Sequence, residues 1–232
     1  MNSKLIKQFP DYTYPPERQI NMAHFITASF EKATLPELIK IFFSKFNKLK
    51  VPYALGGALA TNFYSKKPRN TQDIDVYILP NDKNKVLKGI KQLFPNAKIT
   101  PIHSDFQYII ELPEFPNLEI DILIPYGDPY ESAIELAKGV IINGVKVKVP
   151  PIELVILMLA LSDLQKHKMD LENLFLSGSV DINKLKMYID YLGDPEVKQV
   201  LQPYLKKQQQ ARKRMISLLS VTNKSLKRNL KC

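Results

Sequence analysis

The chain has 232 residues, 45% of them hydrophobic and 24% charged, with a formal net charge of +10; this is the composition of a globular protein with room for one large domain or two small ones. Its single cysteine, Cys232, rules out a disulfide framework within the chain and favours a reducing, cytoplasmic setting. The first residues have no apolar stretch of signal-peptide length, and the longest apolar run, Ile152 to Leu161, contains Glu153 and is too short to span a bilayer, so no membrane role is expected.

Pro10, Pro15 and Pro16 make the first 16 residues irregular. Helices are expected over Pro16 to Phe30 and over Thr34 to Leu49, the second with Thr34 as N-cap and Pro36 and Glu37 in its first turn. A short strand, Pro52 to Leu55, runs into Gly56-Gly57, and Ala58 to Tyr64 reads as a helix. Strand Ile74 to Leu79 stops at Pro80 and Asn81, and a helix over Asp82 to Leu93 leads to strand Lys98 to Pro101. Phe106 to Leu112 and Leu118 to Ile124 read as an antiparallel pair. After a helix around Pro129 to Lys138, Asn143-Gly144 between β-branched runs predicts a hairpin over Val140 to Val147. Beyond Pro150 the pattern is helical: Pro151 to Gln165, Lys168 to Leu176, Asp181 to Tyr191, and a long helix from Pro195 past Arg214. Ser177-Gly178-Ser179 reads as a helix stop ahead of an Asp181 N-cap. The fold class is therefore α/β in the α+β sense: a mixed-sheet domain over 1–150, then a helical subdomain over 151–232.

The charge is unevenly spread. From Val197 to the end there is no Asp or Glu, and ten basic residues (Lys198, Lys206, Lys207, Arg212, Lys213, Arg214, Lys224, Lys227, Arg228 and Lys231) carry the whole excess. Such a segment suits the phosphates of tRNA or another RNA; a solvated helix with a frayed tail is the other reading.

The chemistry is concentrated earlier. Asp73 and Asp75 stand two apart in Asp73-Ile74-Asp75-Val76-Tyr77-Ile78-Leu79, so on a strand both carboxylates project from one face. Like charges held so close call for a cation, and hard oxygen donors suit Mg²⁺ or Mn²⁺. Gly56 and Gly57, between a strand and a helix, suit close approach of a phosphate to a helix N-terminus. Asp121, in the alternating stretch Leu118 to Ile124, offers a third carboxylate. His24, His103 and His167 lie far apart with no partners at metal spacing, which argues against zinc. Ser104-Asp105 beside His103 reads as a polar loop cluster.

On Gly56-Gly57-Ala58-Leu59-Ala60, Arg69-Asn70-Thr71-Gln72-Asp73-Ile74-Asp75-Val76 and Glu119-Ile120-Asp121, the chain resembles the DNA polymerase β-like nucleotidyltransferase superfamily. It is similar above all to its small prokaryotic members, including abortive-infection toxin types. The resemblance implies a nucleotidyltransferase-like fold and transfer of a nucleoside monophosphate from an NTP, ATP among them, to a hydroxyl on RNA, protein or a small molecule. It implies Mg²⁺ or Mn²⁺ on Asp73, Asp75 and Asp121, with Asp121 assisting deprotonation of the acceptor, and triphosphate contacts from Gly56 and Gly57. Arg69 and Thr71 would contact phosphate or brace the loop; a local ion pair and a turn-ending Thr are the plainer alternatives. Toxin-type relatives also carry a Lys early in the first helix of the helical half, where this chain has Met158 or Leu159, and a basic residue before an Asp, which here leaves Lys168 and Asp170. Lys168 is thus a nucleotide-binding candidate, against the alternative of an exposed interhelical ion pair. A cognate antitoxin is an implied partner, and a non-catalytic nucleotide- or partner-binding module of the same fold is the competing reading.

Overall fold

A computed structural model describes residues 34–102, 106–162 and 165–229. The helix expected over Pro16 to Phe30, and His24, His103, Ser104 and Asp105, lie outside the described residues.

Thr34 starts the first described helix as expected. Its hydroxyl accepts from the Glu37 backbone N–H, and the Glu37 carboxylate accepts from the Thr34 N–H at 3.1 Å, which satisfies two amides that a helix start leaves over. The resulting α1 (Leu35–Phe46) buries Phe42, Phe43 and Phe46 in an aromatic cluster with Tyr53 and Phe94. A 3₁₀ turn follows, and then β1 (Tyr53–Leu55), α2 (Gly57–Tyr64) and β2 (Asp73–Ile78). α3 (Lys83–Leu93) leads to β3 (Lys98–Ile102), β4 (Gln107–Glu111) and β5 (Glu119–Leu123).

These strands form one mixed sheet in the order β1-β2-β5-β4-β3. β2 and β5 run parallel; the other pairs are antiparallel, including the expected β4–β5 pair. β3 lies at the far edge, with β5 and β4 between it and β2. Period-two alternation gives the sheet two unlike faces. Ile74, Val76 and Ile78 of β2, Ile120 and Ile122 of β5, and Tyr108 and Ile110 of β4 are buried on one face, while Asp73, Asp75, Tyr77 and Asp121 stand half-buried on the other.

α4 (Tyr130–Leu136) precedes the hairpin β6 (Lys138–Ile142) and β7 (Val145–Val149), which turns at Asn143-Gly144 with both residues at positive φ as that turn requires. The remainder is helical: α5 (Ile152–Ala160), α6 (Gln165–Leu176), α7 (Ile182–Leu192) and α8 (Pro195–Asn229). All nine residues of α5 are buried, so this helix is a hub rather than a surface element. Its Glu153 is kept buried because the carboxylate accepts from the backbone N–H of Asp181 at 2.9 Å, just ahead of α7, whose start Asp181 caps. Gly178, two residues past the end of α6, sits at positive φ, as the stop signal predicts. One continuous apolar cluster runs from Leu35 to Leu205. Among the described residues no helix is long and apolar enough to cross a membrane.

Candidate active site

Asp73 and Asp75 project from the first half of β2 because residues two apart share a face. Parallel pairing puts Asp121 of β5 directly opposite Asp75. Each of the three half-buried carboxylates has an oxygen within 4.8 Å of the others'. Three acidic oxygens that close repel one another unless a cation lies between them, and the donor set is all hard oxygen, so these residues fit Mg²⁺ or Mn²⁺.

The carboxylates are held by neighbours. The Thr71 hydroxyl donates to Asp73 Oδ1, and Gln107 Nε2 on β4 donates to Asp121 Oδ1 at 3.2 Å. Tyr77, next along the same face of β2, stacks obliquely on Tyr130 with ring centres 5.4 Å apart. Its phenol is pushed well above the ordinary tyrosine range, first by burial and then by the charges of Asp75, Tyr130 and Asp121, so it stays protonated beside the carboxylates.

Gly56 and Gly57 bring the start of α2 onto this group. The Gly56 N–H donates to the Asp75 carbonyl at 2.8 Å. A Cβ on Gly56 would run into the Tyr77 ring; one on Gly57, which sits at φ +49°, would overlap the Asp75 carboxylate. Only glycine lets the helix start so close to β2. Gly56 has no side chain to cap α2, and the helix start therefore presents backbone N–H groups next to the carboxylates.

Arg69 does not point a free guanidinium at this site. It grips Asp170 of α6 with two prongs, Nε to Oδ1 at 2.9 Å and Nη2 to Oδ2 at 3.1 Å. Asp170 is 1% exposed and also has His167 Nδ1 3.6 Å from its Oδ2. Burial pushes this carboxyl up, but the neighbouring His167 and Arg69 outweigh it and hold Asp170 below the ordinary carboxylate value. The alternative of an exposed interhelical ion pair for Lys168 and Asp170 is thus corrected for Asp170, which is buried and paired with Arg69 where α6 packs against α2. The Arg69 backbone is clamped as well, its N–H donating to Asn62 Oδ1 at 3.0 Å and its carbonyl accepting from Asn62 Nδ2 at 2.8 Å.

Lys168 is exposed on the rim of a cleft of about 430 Å³ between α5, α6 and α8, lined by residues that include Leu159, Ser162, His167 and Glu196 and by none of the three aspartates. Tyr77, Gln107, Asn62 and the Arg69–Asp170 pairing were not read from the sequence. Gln107 becomes visible only once the β4–β5 register is known.

No family model and no curated protein matches the chain. Solved structures do. The antibiotic-resistance factor ANT(2'')-Ia is similar over 68% of this chain and 90% of its own, at 17% identity and a TM-score of 0.48. An antigenic nucleotidyltransferase-like protein from Paracoccidioides brasiliensis is similar over 74% of this chain and 92% of its own, at 19% identity and a TM-score of 0.48. The lincosamide antibiotic adenylyltransferase LnuA, in a lincomycin-bound structure, is similar over 62% and 98%, at 18% identity and a TM-score of 0.45. At such identities and scores the likeness says nothing of substrate or chemistry.

Proposed function

We propose that this protein is a metal-dependent nucleotidyltransferase that moves a nucleoside monophosphate from an NTP to a hydroxyl. The observation that carries the reading is the gathering of Asp73, Asp75 and Asp121 within 4.8 Å of one another, beside a helix start that only Gly56 and Gly57 allow so close.

Asp73, Asp75 and Asp121 would hold Mg²⁺ or Mn²⁺. Bound there, the ion supplies charge neutralisation for the phosphates and lowers the pKa of the attacking hydroxyl. Gly56 and Gly57 shape the α2 start so that its N–H groups receive triphosphate oxygens. The acceptor oxygen attacks the α-phosphorus, the bond to the bridging oxygen breaks, pyrophosphate leaves, and Asp121 takes the acceptor's proton. Thr71 and Gln107 keep Asp73 and Asp121 oriented. Catalysis is then mostly positioning and electrostatics. Residues 1–150 would supply this machinery, and residues 151–232 would pack behind it and carry the basic segment.

Among acceptors, the acid-free stretch from Val197 onward favours tRNA or another RNA. Replacing Arg212, Lys213 and Arg214 with Glu should weaken RNA binding and flatten its salt dependence; unchanged binding would remove RNA from the proposal. The reaction itself is tested with α-labelled NTPs and Mg²⁺ or Mn²⁺, presented with RNA and cell fractions. Label transfer by the wild type, lost in Asp73→Ala/Asp75→Ala, is expected. No transfer to any fraction would favour a nucleotide- or partner-binding module.

A further inference from the structure

Between the two parts of the site, the helix start at Gly57 and the carboxylates of β2, the chain runs through residues 65–72. That segment has no strand or helix of its own, and it leads directly into Asp73. Three fastenings hold it. Asn62, on α2 and 2% exposed, makes two hydrogen bonds to the Arg69 backbone, at 3.0 and 2.8 Å. The Arg69 guanidinium reaches across to Asp170 on α6 with two prongs. The Thr71 hydroxyl ends the run on Asp73 itself.

An arginine just ahead of a metal-binding strand invites assignment to the triphosphate. Its partner argues otherwise. Asp170 is 1% exposed, and a buried carboxylate deprived of its counter-charge is costly. If Arg69 swung to a phosphate, Asp170 would keep, among the described residues, His167 as its charged neighbour, 3.6 Å away. The planar fork of arginine matches a carboxylate in this two-pronged way, and lysine does not.

We propose that Arg69 and Asp170 are positioning residues: their pair ties the connection between the glycine turn and the metal-binding strand to α6, so that the helical half of the chain sets the placement of Asp73 and Asp75. This rests on the reading of the three aspartates as a metal site. The helical half is then part of the catalytic architecture and not an appended module.

The test uses the full-length protein and measures Mn²⁺ binding by electron paramagnetic resonance without nucleotide, alongside kcat and KM for the NTP. Arg69→Ala and Asp170→Asn should each weaken Mn²⁺ binding about tenfold, the usual effect of losing a partner that orients metal ligands. Both should lower kcat while NTP KM stays within about twofold, because no phosphate contact is lost. The double variant should be no worse than either single, since each removes the same pair. Arg69→Lys, which keeps the charge and loses the fork, should fall between wild type and Arg69→Ala, and it keeps the question answerable if Asp170→Asn does not fold. A large rise in NTP KM for Arg69→Ala with unchanged Mn²⁺ binding would overturn the proposal and make Arg69 a phosphate ligand. Wild-type Mn²⁺ affinity in all folded variants would also overturn it. Weakened Mn²⁺ binding in a protein whose wild type transfers no nucleotide would support the clamp and overturn the reaction instead.

Discussion

Asp75 and Asp121 face each other as directly paired residues on two parallel neighbouring strands. Like charges opposite one another destabilise a sheet, and Asp73 adds a third carboxylate within 4.8 Å. The three carboxylates therefore carry an electrostatic cost at this spot that a divalent cation would relieve.

The cost and its relief separate in Asp121→Asn. Without metal this variant should be as stable as the wild type or more so, by roughly 0.2–1 kcal/mol, since one like-charge contact disappears. With Mg²⁺ or Mn²⁺ at about a hundred times the wild-type dissociation constant, the wild type should gain roughly 2.7 kcal/mol and the variant far less. Thermal melting with and without metal reads both. A variant that gains as much as the wild type would show that the ion does not sit on Asp121.

Gly57 is the second sensitive point. It lies at φ +49°, and a Cβ there would overlap the Asp75 carboxylate. Gly57→Ala should cost about 1–2 kcal/mol from the backbone conformation alone, read by urea denaturation. It should also cut transfer on the order of a hundredfold, because Asp75 must move out of place. Gly127, also at positive φ but with nothing near its missing Cβ, is the control: alanine there should cost stability without a comparable loss of turnover.

What the sequence made visible followed from local rules. Asp73 and Asp75 were legible because a two-residue repeat on an apolar strand admits one geometry. Asp121 was legible as a third carboxylate, but not its place opposite Asp75, because that depends on β5 entering the sheet between β2 and β4. Thr34 and Asp181 declared their helices because a cap acts within three residues. Arg69 and Asp170 are 101 residues apart, and nothing local marks either as the other's partner. Tyr77 was hidden for a different reason. It looks like any strand aromatic until the close approach of Gly56 is seen.

Stability and chemistry should also come apart at Phe42. This ring is fully buried, with ring centres 5.1 Å from Phe43, 5.0 Å from Phe46 and 5.9 Å from Phe94. Phe42→Ala should cost about 3–5 kcal/mol through lost burial and the cavity left behind. Because α1 contributes none of the three carboxylates, kcat of the folded fraction should stay within about twofold of wild type. Denaturant midpoint and single-temperature turnover, measured on one preparation, check both halves.

Asp170 gives the protein a predictable response to acid. His167 and Arg69 hold its carboxyl below the ordinary value of 3.8 in spite of burial. A carboxyl whose pKa is lower folded than unfolded binds more protons when unfolded, so its contribution is fully present above the unfolded value and fades as pH falls through the folded one. At pH 7, Asp170→Asn should therefore be less stable than wild type. The difference should be about 2–3 kcal/mol, below the ~3–5 of a fully buried pair, because Arg69 keeps 30% exposure. The gap should hold down to about pH 5 and narrow steadily below the ordinary carboxylate value. Urea midpoints of both proteins at a series of pH values decide it. A gap that stayed constant into strong acid would mean that Asp170 stabilises by shape and hydrogen bonding alone, with its charge contributing nothing to the hold on Arg69.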